Sequence, residues 1–230
     1  MKPLLKPYWL LLLLFSTATV LATPPPPSQL LSEATEKLIE TLTEQQQQIK
    51  TKPELLLTIA DTHLLPLFDV KLMSRYVLGP SWNSASPEQQ QLFEQEFTNL
   101  IMRFYISALM SDPQRIDQLV EAGSQIITYH PVTNLNDKSR KVVVKATVTL
   151  PGEGQQLPVD FRLYRRSSTD GWRIYDLTVE GISLITNYRN TFSIEISRDG
   201  LAPMLKRLQQ KNADILQQIR QSGTLKEPAA

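Results

Sequence analysis

Between Ile127 and Val179 the apolar residues fall on alternate positions, and this period of two decides what the middle of the chain becomes. Ile127 and Tyr129 alternate in a first strand that His130 and Pro131 interrupt. Val142, Val144, Ala146, Val148 and Leu150 share one face of a second, with Lys141, Lys145 and Thr147 on the other. Leu157, Val159, Phe161 and Leu163 mark the inward face of a third strand, and residues 172–179 form a fourth. Polar or glycine-containing turns at 134–139, 151–154 and 167–171 separate them. These links are too short for the crossover that parallel pairing needs, so the strands are expected to run as consecutive antiparallel hairpins. Trp172 and Ile174 lie in one phase of the fourth strand, whereas Tyr175, Leu177 and Val179 lie in the other. A bulge near Tyr175 reconciles the phases and bends the sheet.

Before and after this region the period is helical. Leu31, Ala34, Leu38, Leu42 and Ile49 mark a first amphipathic helix whose Gln45 to Gln48 run faces solvent. A second opens at Pro53, is interrupted at Pro66, and is followed by a short helix capped by Asp69 and ended by Gly79-Pro80. Ser86 and Gln89 have capping-box spacing ahead of a long helix striped by Phe93, Phe97, Leu100, Ile101, Phe104, Tyr105 and Ala108. After Gly181, Ile182, Ile185, Tyr188 and Phe192 return to the helical period. Ser197 is expected to cap a last helix, and residues 223–230 to form a disordered tail. The fold class is α+β in one domain, residues 23–222, with a curled antiparallel sheet of about four strands against helices.

Residues 1–22 read as a signal peptide: Lys2 and Lys6, a leucine-rich run from Trp9 to Phe15, then small residues ending at Ala22. That apolar run is well short of the roughly 20 residues of a membrane span, and Pro24 to Pro27 stop any helix. Cleavage is expected near Ala22 after Sec-type export. The chain has no cysteine, so its roughly 208 exported residues depend on a core rather than on disulfides. Removing the leader leaves 22 basic and 23 acidic residues, which argues against a general nucleic-acid partner. Charge is nevertheless uneven: residues 138–173 hold eight basic and three acidic side chains, either a solvated sheet face or a surface for an anionic partner.

Motifs for catalysis are scarce. There is no G-x-S-x-G, Walker loop or H-E-x-x-H, and Leu157 stands where a dinucleotide loop beginning at Gly152 and Gly154 needs its third glycine. His63 and His130 lie in separate halves without a second ligand at metal-site spacing. One enzymatic reading is an isomerase that buries a carboxylate beside a tyrosine, with Asp176 and either Tyr188 or Tyr175 as candidates.

Residues 172–192, WRIYDLTVEGISLITNYRNTF, resemble the signature of the MlaC family of periplasmic phospholipid-binding proteins, also called the toluene-tolerance family. Ser74 to Gly79 followed by Trp82 is similar to the family's R-Y-V-L-G-x-x-W segment. The stretch opened by Ser86 resembles its long central helix, and Ile196 to Leu201 the start of its last one. The similarity spans roughly residues 30 to 215, with two departures, a glutamine-rich first helix and a C-terminal tail that does not align. It implies an NTF2-like α+β fold with an apolar cavity between sheet and helices. It further implies a non-enzymatic periplasmic carrier with no cofactor beyond phospholipid as cargo. Such a carrier exchanges that cargo with an inner-membrane ABC transporter complex and an outer-membrane lipoprotein–porin complex, maintaining outer-membrane lipid asymmetry.

The candidate lipid-pocket residues are Tyr76, Phe97, Ile101, Phe104 and Tyr105 from helices, Val144, Val148, Phe161 and Leu177 from strands, and Ile182, Ile185 and Tyr188 after them. Such a set serves equally as a packed core, since a pocket is defined by volume left empty. Lys141, Lys145, Arg162 and Arg173 are expected to share a sheet face, for a phosphate head group or an acidic docking surface. The remaining alternatives are the isomerase-type enzyme and a protein-binding adaptor with a solid core.

Overall fold

A computed structural model describes residues 24–110, 114–150 and 154–224; the expected leader, residues 1–22, and the last six residues of the expected tail lie outside these. Helices α1 (Pro27–Glu44) and α2 (Gln46–Thr51) replace the single first helix, with the chain kinking at Gln45. Gln46 does not simply face solvent: its amide donates to Asp117 Oδ1 at 2.8 Å. Helix α3 (Leu55–His63) leads into a 3₁₀ turn at Leu65–Leu67, where Pro66 stops the α-helix.

Asp69 then caps α4 (Val70–Leu78) as its sequence position predicts, its Oδ1 accepting from Leu72 N–H at 2.9 Å. Gly79, at φ +55°, ends α4, and Pro80 opens a short α5 (Pro80–Ser84). The capping box ahead of α6 (Pro87–Met110) is complete, since Gln89 N–H donates to Ser86 Oγ and Ser86 N–H to Gln89 Oε1. Helix α7 (Arg115–Ala122) had no clear counterpart in the sequence pattern.

The sheet has five strands in the order β1-β2-β3-β4-β5, all antiparallel neighbours: β1 (Ile127–Tyr129), β2 (Lys141–Thr149), β3 (Gln156–Tyr164), β4 (Arg173–Val179) and β5 (Ile182–Ser183). The bulge is where the phase change puts it. Leu163 pairs with Ile174 but Arg162 pairs with Asp176, which leaves Tyr175 as the extra residue. Glu180 and Gly181 have positive φ and make so tight a turn that Ile182 pairs with Val179 instead of starting a helix.

The return to helix therefore begins at Leu184, and α8 runs Leu184–Asp199 with Ser183 as its cap. Ser197 lies inside α8 rather than capping the last helix. Gly200, at φ +87°, is the break, and α9 (Leu201–Thr224) carries Gly223 within the helix. The signature stretch owes much of its pattern to this junction. Asp176 Oδ1 accepts from Ile185 N–H at 3.1 Å and its Oδ2 from Ser183 Oγ at 2.8 Å, so one buried carboxylate completes the start of α8. At the other end of the motif, Arg189 Nε donates to Tyr76 O at 2.6 Å, satisfying a carbonyl in the last turn of α4.

Three apolar clusters result. Val77, Phe93, Phe97, Phe192 and Met204 join α4, α6, α8 and α9. Leu42, Ile49, Leu56, Ile106 and Ile219 join the ends of α1, α6 and α9 with α2 and α3. Leu31, Val144, Leu163, Trp172 and Ile174 join α1 to the inner face of the sheet. If Asp176 fastens β4 to α8 in this way, Asp176→Ala should cost about 2 kcal/mol in urea unfolding, the sum expected for a lost cap and an orphaned hydroxyl. Arg162→Gln should cost much less, because that side chain is 46% exposed at 3.9 Å from the carboxylate. Equal costs would contradict this assignment.

Candidate functional site

Where the three clusters meet, the packing leaves space. One chamber, about 290 Å³, is lined by Ala60 and Leu64 from α3 and its end, Phe68 and Met73 around α4, Phe97, Ile101 and Ile106 from α6, and Leu177 and Val179 from β4. A second, about 270 Å³, lies between α1 and the inner sheet face, with Leu31, Ala34, Leu38 and Leu42 on one wall and Val148, Phe161 and Ile174 on the other. Both are partly open, and their walls are almost wholly apolar. The second contains one polar pair, Thr35 Oγ1 and Tyr129 OH at 2.7 Å, which satisfy each other. Burial pushes the Tyr129 phenol above its usual value, so the pair stays uncharged.

Leu64 and Phe68 belong to both walls. They flank a strap, Leu65–Leu67, that is fixed to the sheet behind it. Asp69 N–H donates to Ile174 O at 2.9 Å, Phe68 and Ile174 form a parallel bridge, and Arg173 Nη1 donates to Pro66 O at 2.7 Å. Asp69 also accepts from Tyr164 OH through Oδ2, so one carboxylate caps α4 and holds β3. Burial and the Asp69 carboxylate together push the Tyr164 phenol up.

Apolar space on this scale has a cost. At about 24 cal/mol per Å³, a closed and empty chamber of 290 Å³ would destabilise the fold by about 7 kcal/mol. Water gains little in a site without polar partners, since even a smaller apolar cavity stays dry and takes up hydrocarbon instead. The chambers suit flexible hydrocarbon.

The amino-acid sequence from 32 to 210 matches the family model described as MlaC protein. The chain belongs to the MlaC family. It is 24% identical over 185 residues, 79% of either chain, to the intermembrane phospholipid transport system binding protein MlaC of Haemophilus influenzae. It is 26% identical over 167 residues, 72% of this chain and 71% of the other, to the toluene tolerance protein ttg2D of Pseudomonas putida. The solved structure of a phospholipid-binding protein from Ralstonia solanacearum, in complex with a phospholipid, superposes with a TM-score of 0.69 at 24% identity. It covers 84% of this chain and 99% of its own, so the two share a fold.

Within this MlaC fold the residues singled out for the pocket divide. Phe97, Ile101 and Leu177 line the first chamber, and Val148 and Phe161 the second. The side chains of Phe104 and Tyr105 lie outside the described residues. Val144 is 0% exposed and packs in the cluster of Leu31, Leu163, Trp172 and Ile174. Ile185 and Tyr188 are committed to the α4–α6–α8–α9 core, with the Tyr188 ring edge-on to Phe97 at 5.4 Å. Tyr76 meets Tyr175 edge-on at 6.0 Å, and Ile182 is 66% exposed because β5 holds it at the sheet edge. None of these last five lines either chamber. Leu64, Leu65 and Phe68 were not among the candidates. Their sequence signal is an apolar run around Pro66, between helices, where an ordinary connection is polar.

Register places Lys141, Lys145, Arg162 and Arg173 on one sheet face, opposite the chambers. They are not equivalent. Lys141 lies over the Tyr175 ring at 5.7 Å, Arg162 is 3.9 Å from Asp176, and Arg173 holds Pro66. Asp176 is occupied by Ser183 and Ile185, so it does not converge with Tyr188 or Tyr175 on either chamber. His63 and His130 each bond a threonine, Thr41 and Thr147, and among the described residues no acidic, histidine or cysteine cluster could hold a metal. Because Asp69 joins α4, β3 and the strap, Asp69→Ala should cost about 2 kcal/mol, seen by calorimetry as a Tm lower by roughly 4–8 °C. An unchanged Tm would show that the carboxylate's bonds to Leu72 and Tyr164 contribute nothing, because the backbone bond to Ile174 survives in the alanine variant.

Proposed function

We propose that this protein is a periplasmic phospholipid carrier, shuttling lipid between outer-membrane and inner-membrane complexes and so maintaining outer-membrane lipid asymmetry. The observation that carries the reading is the pair of nearly all-apolar chambers at the junction of the three clusters. The relatives named for intermembrane phospholipid transport and for phospholipid binding support it. A solid-core adaptor would have no use for that space.

The energetic need is plain. Two acyl chains hold about 30 methylenes, so exposing them to water costs on the order of 20 kcal/mol at ~0.8 kcal/mol each. A carrier whose interior replaces the bilayer's apolar surroundings brings both ends of the journey near balance. Handover then occurs at a docked partner rather than through free solution.

Those partners are an inner-membrane ABC transporter complex and an outer-membrane lipoprotein–porin complex. The outer-face cations serve docking rather than the head group, because the sheet stands between Lys141 or Lys145 and the chambers. Among the described residues no helix is long and apolar enough to cross a membrane, which suits a carrier released by cleavage after Ala22.

One mass spectrum tests both parts of this reading. Protein recovered from a periplasmic extract and sprayed under native conditions should begin at Thr23 and carry phospholipid that denaturation releases. A chain beginning at Met1 would contradict the export reading. A lipid-free chain would contradict the carrier.

A further inference from the structure

On the outer side of the sheet a third cavity, about 280 Å³, opens where the end of the strap meets the β3–β4 hairpin. Its character is the reverse of the other two. Asp69, Tyr164, Arg165, Arg166, Asp170 and Arg173 line it, and none of them borders either apolar chamber. Three guanidiniums against two carboxylates leave a positive excess, and both carboxylates are already engaged. Asp69 accepts from Leu72 N–H and Tyr164 OH, and Asp170 Oδ2 accepts from Ser167 N–H at 3.0 Å.

The arginines are held without being neutralised. Arg165 donates to the carbonyls of Ser139, Asn136 and Ser168 at 2.9, 2.9 and 3.2 Å, and lies over the Trp172 ring at 4.6 Å. Arg173 Nη1 donates to Pro66 O at 2.7 Å. Exposed Arg166 lies near enough to the Tyr164 phenol to offset part of the upward push from burial and Asp69. Among the described residues no ion pair takes up any of the three. Carbonyls orient a guanidinium but leave its charge uncompensated, so the cavity is preorganised for an anion.

We propose that the cavity framed by Arg165, Arg166 and Arg173 is a binding site for a phosphate group from outside the protein. The planar, forked donors of several guanidiniums match the oxygens of a phosphate, which a single point cation does not. A volume just under the roughly 300 Å³ at which sites for small organic ligands begin admits a phosphate with only a small substituent, such as glycerol. Tyr164 and Arg173 are register partners on the outer sheet face, so the sheet separates this site from the chambers. The phosphate is therefore not that of a lipid held inside. It belongs to a soluble phosphate ester or to a head group at a membrane surface, and the site does not depend on the carrier reading.

The test uses the mature protein as purified and two chain-free probes, inorganic phosphate and glycerol 3-phosphate, which have no hydrocarbon to place in the chambers. Titrated at a constant ionic strength of about 0.15 M in chloride, both should shift the amide resonance of Gly171, which lines the cavity, and saturate. Arg166→Gln should weaken both roughly tenfold, the loss expected for one charge-assisted hydrogen bond, and Arg166→Lys should recover part of it. Lys211→Gln, which removes the same charge from the exposed side of α9, should change nothing. Arg166 is exposed, so its variants should keep the melting temperature of the unaltered protein. Flotation with anionic phosphatidylglycerol vesicles, against phosphatidylcholine vesicles, separates the two sources. Recruitment that Arg166→Gln abolishes assigns the site to a membrane surface. Recruitment that is absent, or indifferent to that change, assigns it to a soluble phosphate ester. Failure of both chain-free probes to saturate, or an equal loss in Lys211→Gln, would overturn the site and leave the carrier reading standing.

Discussion

Asp69 N–H donates to Ile174 O, and through that backbone bond the helical half of the chain is fastened to the sheet. It lies where the walls of the two chambers adjoin. The bond sets the position of Phe68 against β4, and Phe68 stands in the wall of both chambers. Asp69 also caps α4 through its carboxylate, which ties the start of that helix to the strand. On the sheet side, the extra residue at Tyr175 lets Ile174 and Leu177 both face inward, one toward each chamber. Without the bulge one of them would turn its side chain to the outer face.

The protein is thus held rigidly around a region that is left underpacked. Its well-filled clusters flank the chambers: the stacked Phe93 and Phe97 rings with Phe192 edge-on in one, Leu163 and Ile174 with Trp172 in another. Polar fastening is placed at the edges. Asp176 and Ser183 secure the start of α8, Arg189 the end of α4, and Asn212 joins α9 to Glu96 of α6 by two bonds from its amide. Such a frame braces the walls of the apolar space from several sides.

Much of this frame was legible in the sequence because local rules dictate it. The alternation from Ile127 to Val179 yields the meander, the phase slip at Tyr175 yields the bulge, and Ser86 with Gln89 yields the capping box. What failed to show was set by tertiary contact. Ile182 continues the helical period on paper, yet positive φ at Glu180 and Gly181 folds it back as a fifth strand. Ser197 has the chemistry of a cap but Gly200 has the conformation that breaks the helix.

The site was read less fully than the fold. Hydrophobic period identifies inward residues, but it cannot tell Val144, which packs in a buried cluster, from Val148, which borders a void on the same strand face. Leu64 continues the helical period of the second helix and Phe68 lies outside any period, so sequence marks the two only as part of an apolar run around Pro66. A crystal structure of the mature protein purified without added lipid bears most directly on the central claim. Elongated density running into both chambers, on either side of Phe68, is the predicted result. Side chains closed inward over that space, with no room for a fatty chain, would contradict it.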